Sequence, residues 1–138
     1  MGLFKISKRM EKSMNTFGFI GMGALNSFSK EDIIFTCPSS DRREKISEET
    51  GVRFAESNAE CANNAKYIIL AVKPQVYDVV LKNIHDIVTE ESIVISLAPG
   101  ITITDIKRKL GDNIRVVRAM PNTPALVGEG MTGISYNT

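Results

Sequence analysis

The residues Gly21-Met22-Gly23 directly follow the apolar run Phe17 to Ile20, a placement typical of a loop that holds a phosphate group. The first glycine permits a tight turn, and the second lets the backbone approach a pyrophosphate. The N–H groups that open the following helix can then bind the anion. Asn26 occupies the third position of the Gly-x-Gly-x-x-Gly pattern, so a plain turn is the alternative. The loop predicts a nucleotide site because it follows the first strand-like run.

Hydroxyl and guanidinium groups follow the second apolar run, Ile33 to Thr36, in the segment Cys37-Pro38-Ser39-Ser40-Asp41-Arg42-Arg43. Domains that bind NAD usually place Asp or Glu near this strand end, where the carboxylate accepts from the ribose 2′-OH. Serine hydroxyls and arginines suit a 2′-phosphate instead, because guanidinium forks pair with phosphate oxygens. We therefore expect NADP(H) to be favoured over NAD(H). Ser39 or Ser40 could equally cap the helix that begins near Arg42, and both roles are compatible.

Short apolar runs alternate with longer amphipathic runs along the whole chain. Strands are predicted at residues 17–20, 33–36, 52–54, 67–72, 93–97 and 114–117, and helices at 42–50, 58–65, 76–87 and 103–110. The run 67–72 is continuously apolar, as expected for a central parallel strand covered on both faces. This alternation predicts an α/β protein of the Rossmann type, with a doubly wound parallel sheet and helices on both faces.

The connection between the first two predicted strands is short. Only about nine residues separate Gly23 from Ile33, whereas a parallel crossover normally needs a dozen or more. We therefore expect the first crossover helix to be shortened to a turn or two, unless these strands are joined in another way. A short helix would also offer a weaker dipole to an anion.

Length and composition indicate one globular domain. The chain has 138 residues, 43% hydrophobic and 24% charged, with a net charge of +1. These values do not indicate nucleic acid as a partner, and no run has the roughly 18 apolar residues of a membrane span. Residues 1–13 are basic, lack a secretory signal pattern and are expected to be a poorly ordered extension before a domain at 14–138.

The remaining reactive side chains do not form a recognisable centre. Cys37 and Cys61 have neither CxxC spacing nor histidine partners, so we expect reduced, buried thiols in a cytoplasmic protein and no metal site. His85, the only histidine, falls in a predicted helix and is interpreted as a surface or packing residue.

Four segments taken together resemble the pyrroline-5-carboxylate reductase family. They are Gly18 to Gly23, Ala71-Val72-Lys73-Pro74-Gln75, Ser96 to Ile101, and Val117 to Gly130, which reads VRAMPNTPALVGEG. The first segment is common to many dinucleotide-binding reductases, whereas the last is close to diagnostic. The resemblance covers roughly residues 14–138.

The resemblance implies a cofactor site and the border of a substrate pocket. The pyrophosphate would be surrounded by Ile20, Gly21, Met22, Gly23, Ala24 and Leu25, and the adenosine phosphate would be contacted by Ser39, Ser40 and Arg42. The ribose would be contacted by Asn58, the cofactor backbone by Ala71, Val72, Lys73 and Pro74, and the nicotinamide side by Ala98, Pro99 and Gly100. The substrate pocket would be bordered by Met120, Pro121, Asn122 and Thr123. No catalytic residue is assigned in this chain. Lys73 could donate a proton on chemistry alone, but the resemblance makes it a cofactor contact. Glu129 is interpreted as a structural loop residue.

The resemblance also implies the reaction, which is reduction of 1-pyrroline-5-carboxylate to L-proline by a reduced nicotinamide. Family members commonly have Ala-Ala-Gly where this chain has Ala98-Pro99-Gly100, and the proline removes one backbone N–H. They also carry a helical dimerisation domain after the segment that ends here, so we expect this chain to act poorly alone. The alternatives are a non-enzymatic nucleotide-binding fragment and a hydroxyacid-type dehydrogenase.

Overall fold

A computed structural model describes residues 16–21, 30–121 and 132–136 of the chain. The strands are β1 (Phe17–Gly21), β2 (Ile33–Thr36), β3 (Arg53–Phe54), β4 (Tyr67–Ala71), β5 (Ile93–Ser96), β6 (Arg115–Pro121) and β7 (Thr132–Tyr136). The α-helices are α1 (Ser40–Thr50), α2 (Asn58–Asn63), α3 (Tyr77–Ile84) and α4 (Ile103–Leu110). Short 3-10 turns at Lys30–Asp32 and Pro74–Val76 precede β2 and α3.

The strands form one sheet in the order β3-β2-β1-β4-β5-β6-β7. Each neighbouring pair from β3 to β6 is parallel, whereas β7 pairs antiparallel with β6. The chain builds outward from β1 in one direction through β3 and then returns to β4 and continues in the other. The predicted doubly wound Rossmann-type sheet is confirmed, and its reversal of direction lies between β1 and β4.

Apolar side chains cover both faces of the sheet. Parallel strands buried on both faces need continuous apolar runs, which β2 and β4 supply. One face packs against α2, α3 and α4, and its core contains Ile20, Ile68, Leu70 and Val116. The other face carries Phe19, Ile33, Phe35 and Ile69, with Ile46 of α1 and Phe54 packed against them. The prediction of helices on both faces is therefore confirmed.

The observed elements differ from the sequence predictions mainly at their boundaries. Helix α1 begins at Ser40 rather than near Arg42, and α3 ends at Ile84. The buried residues of α3 are Tyr77, Val80, Leu81 and Ile84, while Val79 is 63% exposed. Strand β7 was not predicted, because a short run containing a glycine gives little sequence signal.

The first crossover is compatible with a parallel connection despite its length. Phe17 of β1 lies in register with Ile33 of β2, so residues 22–32 join two parallel neighbours. The last part of that connection is the 3-10 turn Lys30–Asp32. The predicted shortened helix falls on residues outside the described ranges, as does the predicted extension at residues 1–13.

Gly18 allows α2 to lie directly against β1. A Cβ built on Gly18 would be 2.7 Å from Ala65 Cβ and 3.2 Å from Cys61 Sγ. Cys61 is fully buried there, and burial raises the pKa of its thiol to about 12. Neither Cys61 nor Cys37 forms a disulfide, and both are buried, as predicted. No helix within the described ranges is long and apolar enough to cross a membrane.

Helix α4 begins at a capping box. The Thr102 hydroxyl accepts from Asp105 N, and an Asp105 carboxylate oxygen accepts from Thr102 N at 3.1 Å. The hydrogen bonds from Thr102 lower the pKa of Asp105, and Arg108 adds to this shift. Because the pKa is lowered in the folded state, the stabilisation is present above the unfolded pKa and is lost as pH falls through the folded value.

We expect Asp105→Asn to destabilise the chain slightly at pH 7 and to have a smaller effect at pH 3, because the stabilisation by the charge is lost as pH falls through the lowered folded pKa. The amide still offers an acceptor oxygen but cannot carry the charge that the N-terminus of the helix favours. Urea midpoints of both proteins at the two pH values measure this. If the urea midpoints of the two proteins differ by the same amount at pH 3 and at pH 7, the charge of Asp105 has no role in stability.

Candidate functional site at the carboxyl ends of the strands

Gly21 and Ala71, two of the residues predicted to contact a cofactor, lie at the point where the sheet reverses direction. In open α/β sheets, ligands bind beyond the carboxyl ends of the strands at this switch point. β1 ends at Gly21, and its neighbour β4 ends at Ala71, which lies in register with Gly21. β5 lies next to β4 and leads into the Ala98–Gly100 turn. The fold therefore brings together three of the predicted segments.

Gly21, the last residue of β1, lies against the end of β4. Its φ is +106°, a conformation that residues with a Cβ rarely adopt. A Cβ added there would be only 2.4 Å from the carbonyl oxygen of Ala71. Position 21 thus requires glycine, because a Cβ there would collide with the backbone of β4. The next residues of the loop, Met22, Gly23, Ala24 and Leu25, lie outside the described ranges, while Ile20 is buried in the core.

A cleft of about 350 Å³ opens between the ends of β4 and β5. It is lined by Ala71, Val72, Lys73, Pro74, Leu97, Ala98 and Pro99. Six of these residues were predicted from the sequence, and Leu97 was missed because it was assigned to the strand. Gly100 follows the cleft with φ +80°, and Ala98 is buried. Lys73 is exposed at the beginning of the 3-10 turn that leads to α3.

At the end of β2, Ser39 acts as the N-cap of α1. Its hydroxyl accepts from Arg42 N at 3.3 Å, which confirms the predicted capping role. Ser40 and Arg42 are exposed on the first turn of the helix. The predicted contact of these three residues with a phosphate stays a prediction.

Arg43 is the residue of this segment whose side chain the structure holds in place. Its Nη1 donates to Cys37 O at 2.6 Å and to Pro38 O at 3.4 Å. The guanidinium lies 5.9 Å from the centre of the Phe54 ring, and its buried Nε has no hydrogen-bond partner among the described residues. An arginine is therefore fixed beside the end of β2, although the sequence favoured Arg42 for this position.

Asn58 begins α2, and its side chain is already engaged. Its Nδ2 donates to Asn83 Oδ1 of α3 at 3.1 Å, which joins two helices on one face of the sheet. A ribose contact by Asn58 would have to use its remaining donor or acceptor capacity. The assignment stays a prediction.

The segment predicted to border the substrate continues β6. Met120 pairs with Gly133 and Pro121 with Thr132 in the antiparallel ladder with β7. Asn122 and Thr123 lie outside the described ranges. Within those ranges, no group of His, Cys, Asp and Glu side chains could hold a metal ion.

A larger groove of about 560 Å³ lies elsewhere, on the surface of the helical layer. Its lining comes from α3, from the residues just after α3 and from Lys109 of α4. His85 belongs to this groove, and its Nδ1 lies 2.9 Å from Asp86 Oδ1 on an exposed surface. None of the described residues that line this groove lies at a strand end, so the larger of the two cavities is not the one at the carboxyl ends of the strands. The prediction that His85 is a surface residue is confirmed.

Comparison with known proteins agrees with this placement. The sequence profile of the family described as NADP oxidoreductase, coenzyme F420-dependent, matches residues 16–100. The chain belongs to this family. The matched residues include β1 to β5 and therefore both turns that line the cleft.

Within the family, the chain is similar to pyrroline-5-carboxylate reductases. It is 36% identical over 139 residues to the Escherichia coli enzyme, an alignment that covers 93% of this chain and 51% of the relative. The Coxiella burnetii enzyme structure matches with a TM-score of 0.80 and 36% identity, over 91% of this chain and 50% of that one. The Plasmodium falciparum enzyme, solved with NADP bound, matches with a TM-score of 0.74 and 30% identity, over 89% and 48%.

The resemblance deduced from the sequence motifs is thus confirmed, but it covers only part of each relative. The chain spans about half the length of the relatives that it matches. These comparisons assign the family and the fold to the described residues, and they leave the role of each site residue to be derived from the chemistry of the cleft.

Proposed function

We propose that this chain binds NADP(H) at the carboxyl ends of β1, β2, β4 and β5 and supplies the cofactor side of a pyrroline-5-carboxylate reductase. The observation that carries the proposal is the position of the cleft, which lies at the carboxyl ends of β4 and β5, next to the switch point where Gly21 of β1 pairs with Ala71 of β4. The names of the relatives and the NADP bound to one of them support the same reading.

The residues present fit a dinucleotide in three ways. β1 ends at Gly21, whose φ of +106° permits the tight turn that precedes a pyrophosphate in this fold class. The cleft between β4 and β5 is mostly apolar, which suits the nicotinamide end. Arg43 places a guanidinium at the end of β2, where the adenosine ribose lies in this fold class. When bound, the reduced nicotinamide supplies a hydride to the imine carbon of the substrate, and the nitrogen takes up a proton.

The chain's own contribution is binding and orientation. The turns at 71–74 and 97–100 limit the position of the nicotinamide, and the segment after Met120 would border the substrate. The matched relatives are about twice as long as this chain, so we propose that residues beyond this segment complete the substrate pocket and the dimer. We therefore expect slow or undetectable turnover by the chain alone in a steady-state assay. Rates like those of complete reductases would contradict this.

We also propose a cytoplasmic location, in keeping with two buried, unpaired cysteines. A non-enzymatic nucleotide-binding role is the second candidate. Calorimetric titration with NADPH and NADH tests both candidates. We expect tighter binding of NADPH, whereas no binding of either at millimolar concentration would refute cofactor binding altogether.

We expect Arg43→Met to weaken NADPH binding about tenfold and to change NADH binding less than about twofold, because a charge-assisted hydrogen bond to the 2′-phosphate is lost. Arg42→Met is the matched control, since it removes the same group from the neighbouring exposed position. Dissociation constants for both cofactors decide between them. If only Arg42→Met reduces the preference for NADPH over NADH, the sequence-based assignment of the 2′-phosphate contact to Arg42 is right and the assignment to Arg43 is wrong. An equal loss for both cofactors would indicate general disruption of the β2 end.

A further inference from the structure

The hydroxyl of Tyr77 lies beneath the cleft and joins the two strand ends that form it. Tyr77 is the first residue of α3 and is only 2% exposed. Its hydroxyl donates to Leu70 O at 3.1 Å and lies 2.8 Å from Ser96 Oγ, which is itself buried. Since the phenol proton is directed to Leu70 O, the Ser96 hydroxyl acts as the donor to the phenol oxygen. One buried oxygen therefore contacts both β4 and β5.

These contacts lie immediately before the turns that line the cleft. Leu70 is followed by the 71–74 turn, and Ser96 by the 97–100 turn. Leu70 O also accepts from Leu97 N at 3.3 Å, so the same carbonyl is shared by the tyrosine and by β5. The beginning of α3, the end of β4 and the end of β5 are thus connected at a single polar cluster.

The cluster is the main polar feature beneath an otherwise apolar part of the core. Ile68, Leu70, Val80 and Ala98 are all buried around the same helix and strand ends. In such surroundings a hydroxyl or carbonyl without a partner is costly, so the hydrogen bonds favour one separation of the two strand ends. An apolar side chain at position 77 would fill the space and impose no such preference.

We propose that Tyr77 is a positioning residue that sets the width of the cleft and thereby the affinity of the chain for the nicotinamide end of its cofactor. The identity of the ligand rests on the proposed function, whereas the effect of Tyr77 on the 71–74 and 97–100 turns does not. Tyr77 is buried below the cleft and acts through Leu70 and Ser96, so it is not a catalytic residue.

The first test uses the chain without ligand. Tyr77→Phe removes the hydroxyl and keeps the buried ring. We expect hydrogen exchange at the amides of residues 97–98 to accelerate about tenfold or more, because local opening becomes easier. Ile84→Val is the matched control, since Ile84 is fully buried in the same helix and belongs to the same core cluster. It should lower the thermal unfolding midpoint without selectively accelerating these amides. Equal exchange at residues 97–98 in both variants would refute the proposal.

The second test uses two ligands that share the adenosine end. NADPH contains the nicotinamide, whereas adenosine 2′,5′-bisphosphate does not. We expect Tyr77→Phe to raise the dissociation constant for NADPH about tenfold and to leave that for the bisphosphate within about twofold. An equal loss for both ligands, or no loss for either, would overturn the proposal. If the unaltered chain binds neither ligand, the proposed cofactor function fails, and the exchange experiment still decides the role of Tyr77.

Discussion

Gly21→Ala is expected to lower the free energy of unfolding by about 2–5 kcal/mol, the largest effect of any substitution proposed here. Two causes add. The backbone at residue 21 has φ +106°, which costs an L-residue roughly 1–2 kcal/mol. The new Cβ would also be 2.4 Å from Ala71 O and 2.7 Å from Ala71 C, and a backbone carbonyl within a sheet cannot rotate away. The strands β1 and β4 must therefore separate. Urea unfolding followed by circular dichroism measures the loss.

Gly111→Ala separates these two causes. Gly111 has a similar φ of +117°, but no described atom lies within 4 Å of a Cβ built there. This variant should show the backbone strain alone, roughly 1–2 kcal/mol. The difference between the two variants then measures the close approach of β1 to β4. If the two losses are equal within error, the approach of β4 at Gly21 is not tight enough to constrain residue 21.

Much of the fold could be predicted because burial on both faces leaves a direct trace in the sequence. Runs such as 67–70 are apolar at every position, and only a central parallel strand requires this. Strand β7 left no such trace. Its position depends on antiparallel pairing with β6, and a short run that contains a glycine does not predict this pairing.

The site was predictable where it consists of backbone and not where it depends on side-chain conformation. The turns at 71–74 and 98–100 follow from the positions of strand ends. The choice of Arg42 over Arg43 could not be decided from sequence, because it depends on which guanidinium reaches the carbonyls of Cys37 and Pro38. Tyr77 was missed for the same reason, since its hydroxyl contacts residues 7 and 19 positions away.

Gly18→Ala is expected to be the second most damaging substitution, with a loss of about 1–3 kcal/mol from overpacking between β1 and α2. The added methyl would be 2.7 Å from Ala65 Cβ and 3.2 Å from Cys61 O. Cys61 of α2 and Ala65, which follows α2, are both fully buried, so neither can move away without shifting α2 or the turn behind it. Chemical unfolding of the variant measures the loss. An unchanged midpoint would mean that α2 does not rest directly on β1.

A double-mutant cycle with Ala65→Gly tests which contact is responsible. Ala65→Gly alone should destabilise the chain by about 0.5–1 kcal/mol, because it removes a buried methyl and frees the unfolded backbone. In its presence Gly18→Ala should cost less than it does alone, since the 2.7 Å contact no longer exists. The rescue should be incomplete, because the carbonyl of Cys61 remains 3.2 Å away. Gly18→Ala combined with Gly111→Ala, a glycine after α4, should be additive within about 0.5 kcal/mol. Additivity of the Ala65 pair as well would show that Ala65 does not limit the residue at position 18 and that Cys61, through its carbonyl oxygen and its Sγ, does.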